Sequence, residues 1–198
     1  IGLSKNVHIT RYFAYKHLSK YNLEPNLGPW DNAKALSISG SQYLAKVMGF
    51  KEDQIVNVDY PDYDLLSLPY PDDSFDAVIS DQVLEHIAGD PKRAIEESFR
   101  VVRGGGYILH TTCFISPLHE CPGDYWRFSP KALTLLIGNK HRIISVGGWG
   151  NLYAMLYMGL GLSNELIPET RFHPANWIAT YNQRRFPIYT WILAQCVK

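Results

Sequence analysis

The sequence predicts an α/β fold, a doubly wound and mostly parallel sheet with helices on both faces. Three observations carry that expectation. Short apolar runs alternate with stretches of helical spacing, the order produced by parallel strands joined through right-handed crossovers. "FDAVISD" reads as a buried strand, and "YILHTTCF" is a near-continuous β-rich run, consistent with a strand buried on both faces. Clusters of Pro, Gly, Asp and Ser punctuate the runs and mark the turns between them.

The elements follow in order. From Val7 to Leu23 the spacing of Ile9, Tyr12, Phe13, Lys16 and His17 suits an amphipathic helix, which Pro25, Gly28 and Pro29 end. "AKALSISG" reads as a strand closing in a Ser-Gly-Ser turn, and "QYLAKVMGF" as a helix stopped at Gly49. "QIVNVDY" is a second strand ending in Asp59, followed by the turn-rich run "PDYDLLSLPYPDDS". After "FDAVISD", Asp90 and Pro91 supply an N-cap and a first-position proline for a helix whose apolar face is Ala94, Ile95, Phe99 and Val102. Gly104, Gly105 and Gly106 are expected to stop that helix before "YILHTTCF". A further helix starts near Ser129-Pro130, "HRIISVGGWG" is another strand, and "FPIYTWILAQCVK" is a long final strand. Residues 151–185 have mixed helical spacing, as a small helical insertion before the last strand would.

The chain has 198 residues, enough for a single domain over 1–198 with an N-terminal helical extension (1–30) and an inserted cap (151–185). Its 46% hydrophobic and 19% charged residues exclude a disordered chain. Nineteen basic and nineteen acidic residues balance, so no nucleic-acid partner is expected. Cys113, Cys121 and Cys196 form no CxxC pair and leave one odd, which points to a reducing compartment, with cytoplasm as the default. The N-terminus shows no signal-peptide pattern. "NLYAMLYMGLGLSNELI", interrupted by Gly159, Gly161, Asn164 and Glu165, is too short to span a bilayer.

In an open parallel sheet, ligands bind outside the carboxyl ends of the strands, where strand order reverses. The residues there are Ser39, Gly40 and Ser41, then Asp59 and Tyr60, Asp64 and Leu65, and Asp81 and Gln82. An acidic residue ending the second strand can accept both hydroxyl hydrogens of a ribose, and small residues in the first turn admit a ligand close to the backbone. A nucleoside-containing cofactor fits that pattern.

The ordered motifs "LPYPDDSFDAVISDQVLEHI", "RVVRGGGYILHTT" and "DYWRF" make the chain resemble the class I S-adenosylmethionine-dependent methyltransferases over roughly Ala35 to Ile137. The resemblance implies a Rossmann-like sheet of about seven strands with the last one antiparallel. It also implies S-adenosylmethionine as cofactor, with Asp59 on the ribose diol, Asp64 and the Leu65 backbone at the adenine, and Ser39 to Ser41 against the methionine moiety. Asp81, Gln82 and His86 would form the floor beside the sulfonium. One departure is visible: "SISGSQY" puts Ser37 where most members have an acidic residue, and Ser39, Ser41 and Tyr43 where they have glycines. A turn of this kind is similar to that of members found with cell-surface glycan biosynthesis, which implies a small or glycan-linked acceptor, methylated at oxygen.

A hydroxyl acceptor needs its proton removed, and "PLHECPGDYWRF" offers His119, Glu120 and Asp124. His119 is the first candidate because an imidazole titrates near neutral pH, with Asp124 second. Tyr125, Trp126 and Arg127 are candidates to shape the acceptor pocket, Arg127 by a bidentate grip on a carboxylate or phosphate. Tyr153, Tyr157, Phe172, Trp177 and Tyr181 are candidates for acceptor specificity, and a homodimer is possible. The histidines lack the paired spacing of a zinc site, so no metal is expected. The competing class is a non-catalytic methyltransferase-like binding or regulatory domain with an altered cofactor turn. A nicotinamide dehydrogenase is excluded because "SGSQYL" supplies no G-x-G-x-x-G.

Overall fold

The computed structural model describes residues 7–23, 33–120 and 122–198; Pro25, Gly28, Pro29 and Cys121 lie outside them, as do residues 1–6 and 24–30 of the expected 1–30 extension. Among these residues six strands form one sheet: β1 (Ala35–Ile38), β2 (Ile55–Val58), β3 (Phe75–Asp81), β4 (Val102–Cys113), β5 (Arg142–Trp149) and β6 (Tyr189–Gln195). Their order is β2-β1-β3-β4-β6-β5. β2, β1, β3 and β4 pair in parallel, whereas β6 runs antiparallel to both β4 and β5. No strand forms between Asp59 and Ser74, where only an isolated bridge joins Asp64 to Ser67; Pro61, Pro69 and Pro71 lack the amide donors that a ladder needs.

Among the described residues six α-helices accompany the sheet: α1 (Ile9–Leu18), α2 (Gln42–Val47), α3 (Pro91–Val101), α4 (Pro130–Ile137), α5 (Leu152–Gly159) and α6 (Pro174–Thr180). The caps are where the sequence places them. The Asp90 side chain accepts from the Lys92 amide at 2.9 Å, and Ser129 from the Ala132 amide at 3.2 Å, each ahead of a proline at the first helical position. Strand residues alternate between two apolar layers, as period two demands. Ala77, Ile79, Leu109 and Leu193 pack with α1, α2 and α6, while Val78, Ile108, Ile192 and Ala194 pack with α3 and α4.

The glycine triplet does something other than stop α3. The helix ends at Val101, and Gly104 to Gly106 lie within β4. A Cβ on Gly106 would sit 2.6 Å from the Asp76 carbonyl oxygen and 2.7 Å from a Val102 methyl, so the residue is small because β3 passes too close for a side chain. Gly106→Ala is therefore expected to destabilise the chain by about 1–3 kcal/mol, the usual range for overpacking. Urea denaturation checks this, and an unchanged midpoint would contradict it.

Candidate functional site

A cavity of about 1380 Å³ opens at the carboxyl ends of β1, β2 and β3. This is the crevice where strand order reverses about β1. Ser39 and Gly40 form its edge at β1, Asp59 and Tyr60 at β2, and Gln82 at β3. Asp64 and Leu65 reach it from the turns that follow β2.

The first turn is tight, with φ of 48° at Ser39 and 75° at Gly40. A Cβ on Gly40 would meet nothing within 4 Å, so the turn leaves open space for a ligand. Ser41 is buried and does not line the cavity. Its hydroxyl donates to the Ile38 carbonyl and accepts from the Asp81 amide at 2.7 Å, so it ties β1 to β3, which corrects its reading as a ligand contact. Tyr43 turns away from the crevice and meets the Tyr15 ring, with centroids 5.5 Å apart. Its bulk therefore leaves the turn clear.

Asp59 makes no side-chain hydrogen bond among the described residues and is exposed at the cavity edge. Asp64 is partly used, since one of its carboxylate oxygens accepts from the Leu66 amide at 2.8 Å. Gln82 has φ of 60°, and its buried Nε2 has no hydrogen-bond partner. An orphaned amide at a cavity wall is a costly arrangement unless a ligand supplies the acceptor.

The Asp81 carboxylate accepts four side-chain hydrogen bonds. One carboxylate oxygen accepts from Thr111 Oγ1 at 2.6 Å and Tyr189 Oη at 2.7 Å; the other accepts from Arg11 Nε at 2.8 Å and from Tyr15 Oη. Burial works to raise its pKa, but the Arg11 charge and the bonds from Thr111, Tyr15 and Tyr189 outweigh that and hold it below the usual carboxylate range. With both oxygens saturated by the protein, Asp81 anchors α1 and is not free to grip a ligand. Arg11 lines the cavity, and only its Nε is bonded among the described residues, so its terminal nitrogens remain to face an anion. Sequence reasoning missed Arg11 because only the contact with Asp81, seventy positions away, reveals where it points.

The acceptor-side loop is held by its own polar groups. Arg127 forks onto Asp124, its Nη2 donating to Oδ2 at 2.7 Å, and also bonds the Trp126 and Pro117 carbonyls. Neither Arg127, Trp126 nor Asp124 lines the cavity. Their expected substrate and acid-base roles are corrected to loop packing, because Trp126 Nε1 donates to the Ile87 carbonyl at 2.9 Å and the Asp124 carboxyl is fully paired. The Arg127 bonds pull the Asp124 pKa well below the usual range, which disqualifies it as a base near neutral pH. Tyr125 and His119 do reach the cavity, whereas the exposed Glu120 does not.

His119 Nδ1 lies 3.1 Å from the Pro117 carbonyl and 3.3 Å from Asp124 Oδ2. A carbonyl can only accept, so Nδ1–H is the donor, and in that tautomer Nε2 keeps its lone pair. The same logic applies to His86, whose Nδ1 donates to the Gly123 carbonyl. Glu85 stands behind them, 0% exposed, with Oε2 accepting from Thr112 Oγ1 at 2.7 Å and Oε1 without a hydrogen-bond partner. Burial raises its carboxyl pKa. Burial, with the nearby Glu85 charge, also pushes the Cys113 thiol to about 12, so no thiolate is on offer.

From the 151–185 segment, Met155 and Met158 of α5 line the cavity, not the expected aromatics. Tyr153, Trp177 and Tyr181 instead cluster on one another, Trp177 and Tyr181 stacking at 5.5 Å, and Phe172 is 97% exposed. Ser163 and Asn164 also border the cavity, where the Asn164 carbonyl accepts from His8 Nδ1 at 2.9 Å. No helix of the described residues is long and apolar enough to cross a membrane.

Comparison with known proteins bears on this geometry. Residues 26–110 match the model of a methyltransferase domain. An uncharacterized methyltransferase of Schizosaccharomyces pombe is 33% identical over 89 residues, 45% of this chain and 32% of that protein, so the chain spans well under two thirds of that relative. A methyltransferase solved in complex with the Haloferax volcanii Trm112 activator superposes with a TM-score of 0.60 at 16% identity, over 96% of this chain and 91% of that one. A geranyl diphosphate methyltransferase in complex with S-adenosylmethionine superposes with a TM-score of 0.54 at 14% identity, over 94% and 85% of the two chains. These likenesses establish the Rossmann-like α/β fold, and within it residues 26–110 are similar to a methyltransferase domain.

Asp81→Ala is expected to lower stability by about 3–5 kcal/mol, since it leaves the Arg11 charge partly buried and unpaired. Asp81 has a depressed folded-state pKa. Its contribution is thus present above the unfolded carboxyl value of about 4 and is lost as pH falls from there toward the folded value. Denaturation curves recorded from pH 7 downward should show a shallower acid limb for Asp81→Asn than for the parent. Superimposable limbs would contradict the assignment.

Proposed function

We propose that the protein is an S-adenosylmethionine-dependent methyltransferase acting on a hydroxyl of a small or glycan-linked acceptor. The observation that carries this reading is the cavity at the ends of β1, β2 and β3, with an unbonded Asp59, an open turn at Gly40 and an unsatisfied Gln82 amide, inside the stretch that matches a methyltransferase domain. The residues fit the cofactor. Asp59 would take the ribose hydroxyls, Asp64 and the Leu65 backbone the adenine, and Ser39, Gly40 and Gln82 the methionine portion. Arg11 is proposed at the methionine carboxylate, because Asp81 holds its Nε and leaves the other guanidinium nitrogens to the cavity.

When bound, the cofactor supplies an electrophilic methyl on a sulfonium, for in-line displacement by an oxygen nucleophile. The chain must then align the acceptor, exclude water and receive one proton. His119 Nε2 is proposed to receive it, with Asp124 as the positioning residue that accepts from the His119 amide at 2.9 Å and holds the ring. Tyr60 and Tyr125, exposed at the rim, support a sugar-bearing acceptor because aromatic rings stack on sugar faces. The segment 151–185 is proposed as a cap, on the ground that Met155 and Met158 face the cavity.

Titration with S-adenosylhomocysteine by calorimetry tests the cofactor half. Binding is expected to weaken by roughly tenfold to a hundredfold in Asp59→Ala. Absence of heat at millimolar ligand would favour a non-catalytic binding domain. His119→Gln is expected to slow methyl transfer to a responsive nucleotide sugar by about 10²–10⁴-fold with S-adenosylhomocysteine affinity retained. Unchanged turnover would remove His119 from the proton path.

A further inference from the structure

The acceptor end of the cavity holds a constellation that methyl transfer from a sulfonium does not require. Glu85, His86 and His119 each offer one ligand atom, and these atoms lie within 4.8 Å of one another. Glu85 Oε1 and His119 Nε2 are 3.9 Å apart, and the two imidazoles meet edge to face with centroids 5.0 Å apart. In a tetrahedral site with bonds of about 2.1 Å, ligand atoms sit roughly 3.4 Å apart. Closing on an ion thus needs a contraction of about 0.5 Å between Glu85 and His119 and up to about 1.4 Å across the cluster, and His119, whose side chain is 40% exposed, lies on a loop that can supply it.

Three independent features match what a metal site needs. First, Glu85 is 0% exposed, yet Oε1 has no hydrogen-bond partner, which is a poor bargain for a carboxylate unless a cation completes it. Second, both histidines spend Nδ1–H on backbone carbonyls, of Gly123 and Pro117, which leaves each Nε2 lone pair free and orients each ring. Third, Glu85 is itself tethered by Thr112 and, through its backbone carbonyl, by the Tyr125 and Trp126 amides, so the loop carrying His119 is clamped to the carboxylate. Two neutral imidazoles and one carboxylate are a donor set for a first-row dication of the zinc type.

We propose that Glu85, His86 and His119 form a binding site for a divalent transition-metal ion, with its open coordination positions on the side of the cavity. Binding itself does not depend on the methyltransferase reading; the catalytic consequence does. An acceptor hydroxyl on the dication would give up its proton more readily than in water, and His119 would then serve as a ligand in place of a base. That outcome also explains why Glu85, which does not line the cavity, sits immediately behind two histidines that do.

The test is a titration of the untagged, chelator-treated chain with Co²⁺, followed by visible absorption and calorimetry, in parallel with S-adenosylhomocysteine. One saturable equivalent with a ligand-field band, displaced by Zn²⁺ and weakened more than about 100-fold in His119→Ala, is expected. Glu85→Gln keeps the volume and should also abolish the band; if it fails to fold by circular dichroism, His119→Ala carries the test, because its ring is partly exposed. No saturable event, or a band retained in His119→Ala, overturns the site. Cobalt binding without S-adenosylhomocysteine binding would support the site and sink only the cofactor reading, and the reverse pair would sink only the site.

Discussion

The Asp81 carboxylate is the constraint on which the rest of the site depends. It terminates β3, and it receives Thr111 from β4, Tyr189 from β6, and Arg11 and Tyr15 from α1. A buried carboxylate is expensive unless every oxygen is satisfied, and here four donors do so. The result is mechanical as well as energetic: a helix far away in sequence is fastened to the end of a central strand. Ser41 repeats the device on the neighbouring strand, linking the Ile38 carbonyl to the Asp81 amide. The mouth of the crevice therefore has rigid sides before any ligand arrives.

The opposite wall is built on the same principle from a loop with no regular structure. Asp124 and Arg127 neutralise each other, Trp126 spans to Ile87, and the Glu85 carbonyl accepts from two successive loop amides. These bonds consume side chains that, by their chemistry alone, looked suited to substrate. What they leave exposed to the cavity is one imidazole of defined tautomer, from His119, and a tyrosine ring, from Tyr125. Loops that carry function tend to be positioned by a rigid scaffold, and in this protein much of the scaffold is local electrostatics.

Much of the fold was legible in the sequence because its signals are local. Buried strands, Asp90 and Ser129 as caps, and the crevice at the strand ends follow from short patterns. The places of Asp59 and Gly40 at the cavity edge were legible for the same reason, since both follow on a strand end. The parts that were not legible depend on partners distant in the chain. Arg11, Glu85 and the true role of Asp81 become visible only when Arg11 meets Asp81 and Glu85 meets His119. Tyr43 shows the converse: it stands where the resembling family has a glycine, but its ring meets Tyr15 and does not line the cavity. The glycine triplet was misjudged because the closeness of Asp76 is a property of sheet packing, not of the triplet.

The central claim is that Asp81 positions α1 so that Arg11 and Asp59 frame one adenosine-bearing ligand from two sides. A crystal structure of the protein with S-adenosylhomocysteine tests it most directly. The account predicts the Arg11 terminal nitrogens on the ligand's carboxylate, Asp59 on both ribose hydroxyls, and the Asp81 bonds unchanged. A ligand bound with Asp59 turned away, or with Arg11 drawn off Asp81 to reach it, would contradict that claim.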